Sequence, residues 1–125
     1  AEKEYNDDEK IIQIGDHHME SNSSFIIKND NYALTASKYN GRQTLWEKNV
    51  KNNENMEIRF DLSISAGYAK IVFIDGENNI TILAECTQDG STNESGSETV
   101  SLTSGRNRIR IVAYDCQDLN LKFDF

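Results

Sequence analysis

The side chains of this sequence that could do chemistry are few and scattered. Trp46 is the sole tryptophan, with Tyr39 and Tyr32 upstream of it in the same segment. An aromatic face open to water can stack on the apolar face of a pyranose ring. Trp46, Tyr39 and Tyr32 are therefore the candidate ligand-binding residues, with a glycan as the ligand. The competing reading packs Trp46 into the core beside Val50, which shares its strand parity. That reading is the stronger one, because large aromatics in a small β domain mostly serve as packing.

Asp16, His17 and His18 have the atoms of metal ligands. Adjacent histidines on a strand point to opposite faces, however, and no cysteine or third histidine stands at a zinc spacing. No metal site is expected there. The acids Asp75, Glu77, Asp89, Glu94 and Asp118 fall in turns, and hard oxygen donors suit calcium, but their spacing matches no calcium loop. No cofactor is expected, and structural calcium is the one cation these acids would suit. Cys86 and Cys116 allow one intramolecular disulfide. Cys86 has the parity of the buried residues in its strand, whereas Cys116 shares parity with Val112 and Tyr114 rather than Ile109 and Ile111. Bringing both inward requires a bulge, and a pair of buried free thiols is the stronger reading. The sequence holds no Gly-x-Ser-x-Gly elbow, phosphate-binding glycine loop or dinucleotide fingerprint. A dyad of either cysteine with His17 has no local support, so no enzyme is expected.

The elements that would position these residues are strands. Residues 56–66 alternate strictly, with Met56, Ile58, Phe60, Leu62, Ile64 and Ala66 apolar and polar residues between. A period of two means a strand with one dry face and one wet face. Leu119, Leu121, Phe123 and Phe125 repeat the pattern. Residues 71–74 are continuously apolar, as in a strand buried on both faces. Asn40-Gly41 predicts a hairpin between residues 32–39 and 42–50. Further strands are expected at 80–87, around Val100 and Leu102, and at 107–116, with a polar loop over 88–97. The fold class is all-β, an antiparallel β-sandwich or jelly roll of about eight to ten strands.

Composition narrows the partners. The chain has 125 residues and a net charge of −8, which repels nucleic acid and anionic lipid. No apolar run reaches the length of a membrane-spanning helix. Residues 1–10 carry five acids and two lysines and read as a flexible acidic leader, leaving residues 11–125 as a single sandwich domain. The absence of proline and the wealth of asparagine, lysine and isoleucine suggest a bacterial gene from an AT-rich genome.

Residues 97–105 (SETVSLTSG) followed by Arg108-Ile109-Arg110-Ile111-Val112 resemble the closing strand, glycine turn and strand of bacterial pre-peptidase C-terminal-type domains. The chain is also similar to small jelly-roll domains of uncharacterised Gram-positive lipoproteins. The usual Asp-x-Asp and the tyrosine after the glycine turn are missing; Ala69 and Ile71, and Arg106 and Asn107, stand in their places. The resemblance implies an extracytoplasmic accessory domain without catalysis of its own. The expected function is a non-catalytic binding or interaction module of a bacterial envelope protein, secreted or displayed at the cell surface, with a glycan or protein ligand. A lipid anchor upstream of Ala1 would suit it. The alternative is a structural spacer with no ligand.

Overall fold

In the computed structural model, which describes residues 2–125, two short helices precede eight strands. The helices are α1 (Glu2–Tyr5) and α2 (Asp8–Ile11), and the strands are β1 (His17–Ser21), β2 (Ser24–Lys28), β3 (Asn31–Val50), β4 (Glu54–Ser63), β5 (Ala66–Ile74), β6 (Ile80–Thr87), β7 (Asn93–Leu102) and β8 (Gly105–Asp124). All pairings are antiparallel. The all-β sandwich expected from the alternation is the architecture observed.

Two long strands organise it. β3 and β8 pair from Asn31↔Asp124 to Val50↔Gly105, with a register shift between Tyr39 and Gly41. On one side of that shift, residues 59–63 of β4 join β8, and β7 joins β4. On the other, residues 68–74 of β5 join β8, and β6 joins β5. β2 lines residues 31–35 of β3, and β1 lines residues 38–42. The hydrogen bonding is thus continuous, yet the halves face each other: Leu34, Ile58, Leu62, Leu121 and Phe123 of one half share a core with Leu45, Ile71, Phe73, Ile109 and Ile111 of the other.

Asn40-Gly41 does not make the expected hairpin. Gly41, at φ +114, bends one continuous strand, and a Cβ there would lie 2.1 Å from the His17 carbonyl oxygen. The turn residues are used for a fold-over between sheet halves instead of a reversal within one. β8 bends through Asp115 and Asp118, both at positive φ (48° and 51°). Each reverses the inward parity, from Ile109, Ile111 and Ala113 to Cys116, and then back to Leu119, Leu121 and Phe123. The polar segment expected as a loop over residues 88–97 is partly strand, since β7 begins at Asn93. It is an edge strand held to β4 by backbone hydrogen bonds, so it needs few apolar side chains.

The acidic segment expected as a flexible leader folds back on the sandwich as a strap. Tyr5 and Ile11 are 3% and 1% exposed, and they form a second core with Val72, Ile74 and Val112 on the outer face of β5 and β8. β5 is therefore buried on both faces, as its apolar run predicts. Tyr5 meets Tyr114 edge-on at 5.1 Å, lies under Lys70 Nζ at 4.3 Å from its centroid, and donates from its hydroxyl to Glu85 Oε2 at 2.6 Å.

Arg110, with 0% of its surface exposed, holds the strap. Its guanidinium donates to the carbonyls of Ile11 (2.6 Å), Ile14 (3.2 Å) and Gly15 (2.9 Å), to Asp16 Oδ1 (3.0 Å) and to Thr44 Oγ1 (2.9 Å). Arg108 donates to the Ile12 and Gln13 carbonyls, and Arg42 to the Gly15 carbonyl and Gln13 Oε1. Burial, reinforced by the neighbouring Arg110 and Arg106, pushes the Arg108 guanidinium down to about 10. It remains charged at neutral pH.

Replacing Arg110 with alanine leaves the Ile11 and Ile14 carbonyls without their donor and takes one donor each from the Gly15 carbonyl and Asp16. Urea denaturation is expected to show a loss of about 3–5 kcal/mol, and Arg110→Lys should recover little of it, since one ammonium cannot span the set. Burial, then the bond to Glu85, raises the Tyr5 phenol far above its ordinary value of 10.0. Its contribution is full below about pH 10 and is lost as the pH rises further. Wild type should therefore exceed Tyr5→Phe in stability by about 1 kcal/mol at neutral pH. That advantage should vanish in strongly alkaline solution, as read by paired urea titrations across pH.

Candidate functional site

Trp46 reaches its position through a bulge. The register passes from Thr44↔Arg110 to Trp46↔Ile109, leaving Leu45 unpaired. Without it Thr44 and Trp46 would share a face. With it Thr44 stands outside, bonded to Arg110 and Asp16, while Leu45 enters the core and Trp46 packs half-buried against it.

Four further rings gather beside the tryptophan. Phe125 lies 5.1 Å from Trp46 and 5.8 Å from Tyr32; Tyr32 stacks on the buried Phe123 at 4.6 Å and 4°, and Phe25 of β2 is 6.4 Å away. These separations fall in the range where aromatic pairs attract. Phe25, Tyr32, Trp46 and Phe125 are each half-buried, so they make a patch with one side packed and one side open. Ile27, 56% exposed, extends it as the cross-strand neighbour of Tyr32. The Lys48–Glu54 ion pair, at 3.0 Å, lies on the strand parity of Trp46.

Trp46 also lines a groove of about 420 Å³ with Ile14, Asp16, Thr44, Leu45, Glu47 and Arg106. Asp16 Oδ1 accepts from the Thr44 backbone N–H at 3.0 Å, the Thr44 hydroxyl at 2.8 Å and Arg110 at 3.0 Å. Among the described residues no donor reaches Oδ2. Glu47 is ion-paired with Arg106. The two carboxylates are thus fixed acceptors beside guanidinium donors, next to an indole. Such a set can hold hydroxyl groups against an apolar ring.

The candidates from sequence separate accordingly. Trp46 and Tyr32 come together through Phe125. Tyr39 does not join them: it is 0% exposed in the core, its hydroxyl donating to Gln43 Oε1 at 2.6 Å, and it has no surface for a ligand. Asp16 belongs to the strap clamp. His18 bonds Glu20 at 2.7 Å and stacks on Tyr39, while His17 is exposed. Among the described residues no group of three or more His, Cys, Asp or Glu could hold a metal ion. Asp75 caps its own turn, accepting from the backbone N–H groups of Glu77 and Asn79. Phe125 was visible only as one apolar position of the terminal alternation. Its meeting with Trp46 depends on the β3–β8 register, for which neither segment alone carries a signal.

Cys86 and Cys116 are both buried and unbonded. The bulge needed to turn Cys116 inward is supplied by Asp115. Burial pushes the thiols up to about 11 and about 12, respectively. Both should resist a thiol-reactive disulfide reagent in the folded protein and react promptly in urea without added reductant. Fewer than two thiols per chain in urea would show that they are joined.

No protein-family model matches the chain, and no curated protein matches it. Solved structures do. A carbohydrate-binding module of Cellvibrio mixtus lichenase 5A, in complex with cellotriose, is 14% identical, with 86% of this chain and 89% of that one covered and a TM-score of 0.44. A family 29 carbohydrate-binding module variant complexed with mannohexaose is 12% identical, covering 89% and 78%, at a TM-score of 0.45. CBM35 from Paenibacillus barcinonensis is 15% identical, covering 87% and 95%, at 0.43.

Proposed function

We propose that this chain is a non-catalytic glycan-binding module whose site is the Trp46 groove and the aromatic patch beside it. The observation that carries the reading is the position of Trp46, which packs against Phe125 on one side and lines a groove with Asp16, Glu47 and Arg106 on the other. A pyranose has the matching surfaces, with apolar C–H faces for the rings and equatorial hydroxyls for the carboxylates and guanidinium. Both carboxylates are tied to arginines, which suits fixed hydrogen-bond acceptors better than a proton-transferring pair. The reading puts the module outside the cytoplasm, at a bacterial envelope, where polysaccharides are met.

Trp46 is its own reporter. Its emission should shift and become protected from acrylamide on addition of one class of soluble β-glucan, mannan or xylan oligosaccharide. Tyr32→Ala and Phe125→Ala should each weaken that affinity about tenfold or more, the usual cost of an aromatic anchor, with the fold retained by circular dichroism. Affinity for a neutral glycan should hardly change with salt, whereas a protein docked on the acidic surface would be released. An emission spectrum indifferent to every glycan would support the spacer reading instead.

A further inference from the structure

At the bend of β3 and β8 lies a second groove, of about 390 Å³, lined by Lys38, Asn40, Ala66, Gln88, Asp115, Cys116 and Gln117. It stands roughly 20 Å along β3 from the Trp46 groove, the length of six strand residues. Its polar groups are fixed in place. Asn40 Oδ1 accepts from the Asp115 backbone N–H at 2.7 Å, and Gln88 Oε1 accepts from the Gly67 N–H at 2.9 Å. Each bond orients the amide through its oxygen and leaves the NH₂ as a donor. Lys38 and the Asp115 carboxylate have no ion-pair partner among the described residues. The backbone around them is unusual: Gly67 is at φ +81, a Cβ there would lie 2.0 Å from the Asp115 carbonyl oxygen, and Asp115 itself is left-handed. That conformation aims the Asp115 side chain away from the regular alternation of β8.

The tyrosines next in sequence to Gly67 and Asp115 do not line the groove; they pack with Tyr5 on the outer face of β5 and β8. Tyr68 follows Gly67 and Tyr114 precedes Asp115; the two rings stack at 4.4 Å and 12°. The Tyr68 hydroxyl donates to Asp89 Oδ2 at 3.0 Å, and this bond raises its phenol to about 12, so it stays neutral.

We infer that the bend groove is a second saccharide site, which takes a neutral sugar by its edge. The amide NH₂ groups of Asn40 and Gln88 and the Lys38 ammonium donate to ring or hydroxyl oxygens, and the Asp115 carboxylate accepts from a pair of neighbouring hydroxyls. The inference uses the same ligand class as the Trp46 site but none of its residues. Two sites on one rigid pair of strands make the module bivalent, able to bridge two chains or two stretches of one polysaccharide.

The test is a backbone amide NMR titration of wild type, Trp46→Ala, Lys38→Ala and Asp115→Asn with the same soluble β-glucan, mannan and xylan oligosaccharides. The expected result is two separate sets of shifts, with those around Asn40, Gln88 and Asp115 persisting in Trp46→Ala. Lys38→Ala and Asp115→Asn should weaken the bend site about tenfold, the loss of one charged hydrogen bond, without moving the Trp46 site or the melting temperature. Shifts confined to the Trp46 groove would overturn the second site and leave the first. Shifts confined to the bend would do the reverse, and none at either would remove both. Bend shifts that disappear in Trp46→Ala would show a single site with a transmitted effect, and would likewise overturn the proposal.

Discussion

A guanidinium taken out of water must be surrounded by acceptors, and nearly everything distinctive about this molecule follows from how Arg110 meets that demand. Arg110 sits on the outer face of β8, where a two-layer sandwich would normally place a solvated side chain. Its backbone acceptors are the carbonyls of Ile11, Ile14 and Gly15, in a segment that belongs to no strand and has no ladder partners of its own. The charge and the irregular backbone thus satisfy each other. With residues 11–15 fixed, the preceding helices are led across β5, and the apolar outer face of that strand is covered. The residue that follows, Asp16, is delivered to the edge of β3 beside Trp46. The same guanidinium therefore supports a second core and one wall of the candidate site.

The other organising feature is the sharing of β3 and β8 between both halves of the sandwich. In a sandwich of separate sheets the layers are joined by loops alone. Here two neighbouring strands cross from one layer to the other together, hydrogen-bonded over most of their length. The crossing needs left-handed backbone at Gly41, Asp115 and Asp118, and it leaves a polar recess at the fold-over. Both grooves lie along this strand pair, so their separation is set by covalent strand length more than by loop conformation.

Much of this was legible along the chain, in a particular sense. Period-two alternation marks which face of a strand is dry, and β4, β5 and the end of β8 carry it plainly. It does not say what dries the face. The apolar run at residues 71–74 announces two covered faces, but the cover on one of them is Tyr5 of the acidic segment that composition alone marks as solvated, together with Ile11 and Ile12 just after it. Arg108 and Arg110 alternate with Ile109 and Ile111 as a wet face would, and burial by backbone carbonyls leaves no trace in residue type. Asn40-Gly41 signals positive φ correctly, yet a bend and a hairpin require the same residues. The side of β3 that Trp46 faces turns on one bulged residue, Leu45, which nothing in the local sequence distinguishes. Tyr39, two positions from a strand bend, is inward for the same kind of reason.

The central place of β8 also sets the order of assembly. It hydrogen-bonds to β3, β4 and β5, and the remaining strands, β1, β2, β6 and β7, pair in turn with those three. Because it lies after every other strand in the chain, a nascent polypeptide has hairpins available but no layer to dock them in. The pairing of Asn31 with Asp124 closes a loop that encloses nearly all of the intervening strands, and such distant contacts are formed slowly. Folding must therefore wait for synthesis of residues 105–124, and until then the apolar faces of β4 and β5 are exposed to other chains and to chaperones.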